Sequence, residues 1–197
     1  MEEIAKRTLI WIDCEMTGLE KEDELIEISV VPTNMELEFL DKESQRAGID
    51  IVIRPTEGGF KRLENNETVE QMHTKSGLYK EIKTGVELKN VEKIVLDYIK
   101  KFAPKPFNGY LAGNSVYVDR RFLDAYLPNV SNHLHYRLVD VTSIKVLYDA
   151  WFPDAPRKER NDESKHRALD DILESIKELK FYKDNLFNPS VSGLDNE

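Results

Sequence analysis

The sequence predicts an α/β protein in which a mixed sheet is flanked by helices. Two observations carry that prediction. Strand-like runs crowd the first 54 residues, and from residue 109 onward strand-like and helix-like segments alternate. An amphipathic helix over 89–103 lies between the two halves.

Taken in order, strands are expected near 7–13, 24–31, 35–40 and 49–54, the last (IDIVIR) rich in β-branched residues. The polar stretch 59–88 reads as a short helix and a long loop. In 89–103, Val91, Ile94, Val95, Tyr98, Ile99 and Phe102 keep the spacing of one helical face, and Pro104 stops the helix. A short strand near 109–112 precedes a helix over 116–127, and a strand at 136–140 precedes a helix ending at Trp151. A charged loop, PDAPRKERNDESK, leads into a last helix over about 165–185.

Composition bounds the class. A chain of 197 residues, 40% hydrophobic and 33% charged, suits one soluble domain, read as 1–187 with a disordered tail at 188–197. No apolar run approaches the roughly 18 residues of a membrane span, so no membrane association is expected. The start, MEEIAKR, has neither the apolar core of a signal peptide nor the acid-poor character of a transit peptide. The single Cys14 excludes an internal disulfide and fits a reducing compartment, the cytoplasm or the mitochondrion. A net charge of -9 excludes a lysine-coated protein that grips long nucleic acid.

Three acidic signals stand out. In TLIWIDCEMTGLE an apolar strand runs straight into Asp13 and Glu15. Residues i and i+2 of a strand share a face, so these two acids are neighbours and Cys14 points away as a small core residue. A strand that has already ended would leave both acids solvated, and the stretch alone leaves that open. The second signal is VYVDRRFLDAYL, whose apolar stripe (Val116, Leu123, Tyr126, Leu127, with Phe122 at its edge) centres near Asp119. A buried ion pair with Arg167 or Arg137 is the alternative to a functional role. The third is KHRALDDILESIKEL, where His166 opens a helix and Asp170 and Asp171 flank the stripe of Ala168, Leu169, Ile172, Ile176 and Leu179. Periodicity does not choose between these two aspartates, and acids at a helix start are favoured by its dipole in any case.

Together the signals supply three or four carboxylates on separate elements and one histidine. That set suits oxygen-loving Mg²⁺ or Mn²⁺. Two such ions about 4 Å apart clamp the attacking and leaving oxygens of a phosphodiester, and a histidine titrating near neutrality deprotonates water.

D-x-E after an apolar strand, the aspartate of N-S-V-x-x-D, and H-x-x-x-x-D opening a late helix resemble the DEDDh family of 3′→5′ exonucleases. Within it, WIDCEMTGLE, LAGNSVYVDRRFLD, HLHYRLVDVTSIK and SKHRALDDILESIKEL are similar, in the same order, to segments of the branch that cleaves very short RNA. The likeness runs from about Leu9 to Phe187. It implies a ribonuclease H-like fold, two Mg²⁺ or Mn²⁺ per active site held by Asp13, Glu15, Asp119 and Asp171, and His166 as general base. It implies Asp171 rather than Asp170. It also implies that Leu19 wedges between two bases and that Ser115, Arg137 and Thr142 hold the far phosphate with Tyr136 beside them. In that family the Tyr136–Arg137 segment comes from a partner subunit, so a homodimer is implied. Read without the family, Leu19 is ordinary packing, Ser115 a helix N-cap and Arg137 a partner for Asp140. One departure stands: where the family carries a tryptophan that walls the base site before K-S-G-L, this chain has Thr68. The region 41–50 is also longer than the family's.

The acidic charge favours a short substrate, because long nucleic acid is held through many Lys and Arg contacts to phosphate. The resulting expectation is an exoribonuclease that hydrolyses very short RNA, dinucleotides above all, to nucleoside 5′-monophosphates. Two alternatives are an exonuclease trimming longer RNA or DNA, and a metal-binding module without catalysis. Retention of His166 with the full acid set speaks against the latter.

Overall fold

The computed structural model describes residues 7–44, 47–155 and 167–186. The sheet is built on two long central strands, β1 (Thr8–Met16) and β2 (Leu25–Thr33), antiparallel to each other. Every residue of β2 is buried, as is nearly all of β1, so both read as continuous apolar runs. β3 (Ile49–Arg54) pairs antiparallel with β2, and the two-residue β4 (Val86–Glu87) pairs parallel with β3. On the other side, β5 (Gly109–Gly113) and β6 (Leu138–Asp140) add parallel to β1 and to each other. The order is β4-β3-β2-β1-β5-β6, a mixed sheet in which β2 runs against its neighbours.

Helices cover both faces. The helices are α1 (Glu57–Asn65), α2 (Glu67–Ser76), α3 (Leu78–Glu81), α4 (Leu88–Phe102), α5 (Tyr117–Tyr126), α6 (Pro128–His133), α7 (Val141–Trp151) and α8 (Ala168–Leu186). Strand alternation on β1 sorts the core. Ile10, Ile12 and Cys14 pack with Val91, Val95 and Ile99 of α4 and Phe122 and Leu123 of α5. Leu9 and Trp11 pack on the opposite face with Tyr148 of α7 and Leu169, Ile172 and Ile176 of α8. Asp13 and Glu15 therefore continue the α8 face, and Cys14 is a core residue on the other.

Three expectations are corrected. Residues 35–40 form no strand; only a single bridge joins Thr33 to Phe39. The Asn34 side chain closes a turn there by accepting the N–H groups of Glu36 and Glu38, and Leu37 has a left-handed φ of 68°. The stretch 59–88 is three successive helices and a 3₁₀ turn rather than a long loop. Its junction is Gly77, whose φ of 85° ends α2 in the left-handed conformation that only glycine adopts freely. Finally, α6 begins on Pro128, a residue suited to a first helical position, and stands where no helix is expected from periodicity. The tail 188–197 lies outside the described residues.

Candidate active site

β1 delivers its acids at the carboxyl end, where the apolar run that buried it gives out. Asp13, Glu15 and Asp171 offer carboxylate oxygens that all lie within 4.8 Å of one another. Asp13 and Glu15 share a face by strand alternation, and Asp171 descends from the first turn of α8, which is fixed on that face by Leu169, Ile172 and Ile176. Asp119 comes from α5 on the far side of β1. It is 5% exposed, and its Oδ1 accepts the Cys14 N–H at 2.9 Å, between the two strand acids. The alternative of a buried ion pair does not hold, because the Arg167 guanidinium is engaged by Glu27 and Glu81 and the exposed Arg137 lies over the Tyr136 ring.

Electrostatics agree with a site built for cations. Burial, then the charges of Asp119, Glu15 and Asp171, pushes the Asp13 carboxyl well above the ordinary carboxylate range. Burial, then Asp171 and Glu27, pushes Glu15 up to about 8. Burial pushes Asp119 up to about 7 against the opposing Cys14 N–H bond. Like charges this close do not all ionise unless cations compensate them. Hard carboxylate oxygens, with no sulfur among them, suit Mg²⁺ or Mn²⁺ better than a soft metal. The residues fit the group.

His166 lies outside the described residues, although Arg167 and Ala168 beside it are fixed. Asp170 flanks Asp171 but is not part of the three-carboxylate group.

Leu19 is 61% exposed on the turn between β1 and β2. That turn is closed by the buried Asp23, which accepts the Thr17 hydroxyl at 2.9 Å and the Glu20 N–H at 2.8 Å. Gly18 is needed here, since a Cβ would stand 2.4 Å from an Asp23 oxygen. Arg121 donates to the Leu19 carbonyl at 2.6 Å. Ser115 and Thr142 meet directly: the Ser115 N–H donates to Thr142 Oγ1 at 2.9 Å and to Asp140 Oδ1 at 3.0 Å. Ser115 is not the N-cap of α5, since it holds a left-handed φ of 48°. Asp140 caps α7 instead of pairing with Arg137. Tyr136 and Arg137 are exposed, with the guanidinium 5.4 Å over the Tyr136 ring. Among the described residues, no hydrogen bond joins Arg137 to Ser115 or Thr142. Thr68 is exposed in the first turn of α2 and offers no wall.

Two residues escape the sequence reading. His73 of α2 is completely buried, its Nε2 3.0 Å from the Met16 carbonyl and its Nδ1 3.9 Å from Glu15. Glu27 is completely buried opposite Glu15. A glutamate inside the run LIEISVV is the signal that marks it.

The family model described as Exonuclease matches residues 10–179. The chain is 47% identical to an oligoribonuclease of Leifsonia xyli over 184 residues, covering 91% of this chain and 84% of that protein. It is 43% identical to an oligoribonuclease of Streptomyces coelicolor, covering 92% and 88%. Among solved structures, exonuclease I from Methylocaldum szegediense superposes with a TM-score of 0.67 at 13% identity, covering 92% of this chain and 41% of that one. Exonuclease I of E. coli bound to a dT13 oligonucleotide gives 0.63 at 14% identity, covering 91% and 41%. The chain thus spans well under half of those proteins, and what it shares with them is the fold. That fold is ribonuclease H-like, as expected. No helix among the described residues is long and apolar enough to cross a membrane.

Proposed function

The chain belongs to the exonuclease family and is a phosphodiester-cleaving nuclease, and from that premise we propose a 3′→5′ exoribonuclease acting on very short RNA oligonucleotides. Dinucleotides are its favoured substrates and nucleoside 5′-monophosphates its products. The observation that carries this reading is the convergence of Asp13, Glu15 and Asp171 within 4.8 Å, with Asp119 anchored beside them.

Asp13, Glu15, Asp119 and Asp171 would hold two divalent ions. When bound, Mg²⁺ or Mn²⁺ supplies Lewis-acid charge to the attacking and leaving oxygens of the phosphodiester. His166 takes the proton from the attacking water at an imidazole nitrogen. Leu19, presented by a turn that Asp23 and Arg121 brace, inserts between the two bases. The Ser115 and Thr142 hydroxyls, already adjacent at 3.3 Å, take the phosphate at the far end and so limit substrate length.

Tyr136 and Arg137 complete that cap from a second copy of the chain. In support, Tyr136 is 70% and Trp151 65% exposed, with Val146 and Leu147 also open on α7; apolar surface of that extent suits an interface. A formal charge of -9 suits a substrate that offers few phosphates.

Digestion of a 5′-labelled RNA heptamer tests the reaction class. Stepwise shortening from the 3′ end with Mg²⁺, abolished by EDTA, is expected; internal cuts or metal-independent cleavage would overturn the reading.

A further inference from the structure

β1 and β2 place Glu15 and Glu27 directly opposite each other in the ladder. Like charges in that position repel, and Glu27 is completely buried. Its carboxylate spends its lone pairs elsewhere. Oε1 accepts from Arg167 Nε at 2.8 Å and Nη2 at 2.6 Å, and Oε2 accepts the Ala168 N–H at 2.9 Å. Ala168 is the first residue of α8, so a strand carboxylate satisfies a helix N-terminus from outside.

Arg167 reaches further. Its Nη1 and Nη2 donate to both oxygens of Glu81 on α3, at 3.3 and 2.9 Å, with Asp50 of β3 at 3.9 Å. One guanidinium therefore ties β2, β3 and α3 to the start of α8. The Arg167 carbonyl in turn accepts the Asp171 N–H at 3.1 Å, closing the first turn of the helix. Arg167 and Asp171 are thus held in one turn.

We propose that Glu27 and Arg167 are positioning residues that set Asp171 against Asp13 and Glu15. This rests on the reading that Asp13, Glu15 and Asp171 hold the ions. Neither Glu27 nor Arg167 is placed on substrate or metal. Their effect is geometric, and misplacement of a ligand by a fraction of its bond length weakens binding without unfolding the protein.

The test compares Glu27→Gln/Arg167→Met, Arg167→Lys and Asp171→Asn with the parent protein. Each is followed by thermal unfolding without metal, by calorimetric Mn²⁺ binding, and by kcat and KM on an RNA dinucleotide. The double variant leaves no lone buried charge, so it is expected to melt close to the parent. It should nonetheless bind Mn²⁺ about 10–100-fold more weakly and lose kcat by a similar factor, with KM nearly unchanged. Arg167→Lys keeps the charge but not the fork that spans Glu27 and Glu81, and should fall between the two. It also keeps the question answerable if the double variant does not fold. Parental Mn²⁺ binding and kcat in a folded double or lysine variant, beside a weakened Asp171→Asn, would overturn the positioning role alone. Parental Mn²⁺ binding in Asp171→Asn would overturn the ligand reading and the positioning role with it.

Discussion

The Asp119 carboxylate accepts the backbone N–H of Cys14 at 2.9 Å. That bond reaches from α5 to the backbone of the residue between Asp13 and Glu15. It fixes a third element against the two strand acids. Four carboxylates thereby share one end of β1, and their mutual repulsion leads to the first two predictions.

Asp13→Asn, Glu15→Gln, Asp119→Asn and Asp171→Asn should each lower turnover roughly a thousandfold or more, since the ions these residues are proposed to hold supply several kcal/mol of transition-state charge stabilisation. The fold should survive, because an amide oxygen still accepts the Cys14 N–H at position 119. Asp170→Asn is the control and should stay within about twofold of the parent. Near-parental kcat/KM in any of the four would remove that residue from the ligand set.

Glu15 and Asp119 are raised to about 8 and about 7, chiefly by burial. A carboxyl whose pKa is higher folded than unfolded binds more protons in the native state between those values. Its contribution to stability is thus fully present below the unfolded pKa and is lost as pH rises through the folded one. Metal-free protein should therefore lose stability between about pH 5 and pH 8, and Mg²⁺ should restore more of it at pH 8 than at pH 6. Thermal melts with and without Mg²⁺ check this, and Glu15→Gln should flatten the metal-free slope. A metal-free melting temperature that rises across that window would contradict the charge crowding.

His166→Ala should lose most activity yet still bind Mn²⁺ and oligonucleotide. In the parent, kcat should rise over roughly pH 6 to 7.5, where an imidazole titrates. Residual activity of the alanine variant should lack that rise. If metal binding disappeared with the imidazole, His166 would be a ligand rather than a base.

Much of this was legible in the sequence because the relevant signals are periodic. Leu9 to Ile12 read as a buried strand, so the face carrying Asp13 could be placed, whereas the stripe of Ala168, Leu169, Ile172 and Ile176 left Asp170 and Asp171 open and only the family resemblance pointed to Asp171. Asp119 stood out because a charge at the centre of an apolar stripe breaks the pattern. Between residues 57 and 84 one short helix was legible but not the succession of three, since α2 buries only His73 and its remaining positions are polar or partly exposed. Nor was Glu27, whose partners Arg167 and Ala168 lie 140 and 141 residues away in sequence. The alternation in MELEFL misled, because Asn34 closes a local turn that outcompetes strand pairing.

Arg137→Ala should weaken dinucleotide binding about tenfold or more, as a charge-assisted contact to phosphate contributes roughly 1.5–3 kcal/mol. Because Arg137 turns onto its own Tyr136, the phosphate contact is expected across the interface. Mixing Asp119→Asn and Arg137→Ala subunits should then yield dimers with one intact site and about half of parental activity. A mixture no more active than the average of the two separate variants, despite verified heterodimers, would place the cap within one subunit.

The most direct measurement is kcat/KM on a series of RNA oligonucleotides from two to about twenty residues, with Mg²⁺ present and with the metal chelated. The proposed site, four carboxylates with Ser115 and Thr142 as the phosphate cap, predicts strict metal dependence and the highest kcat/KM at two residues, falling steeply with each added nucleotide. A flat profile, or one that rises with length, would contradict the account and point to trimming of long nucleic acid instead.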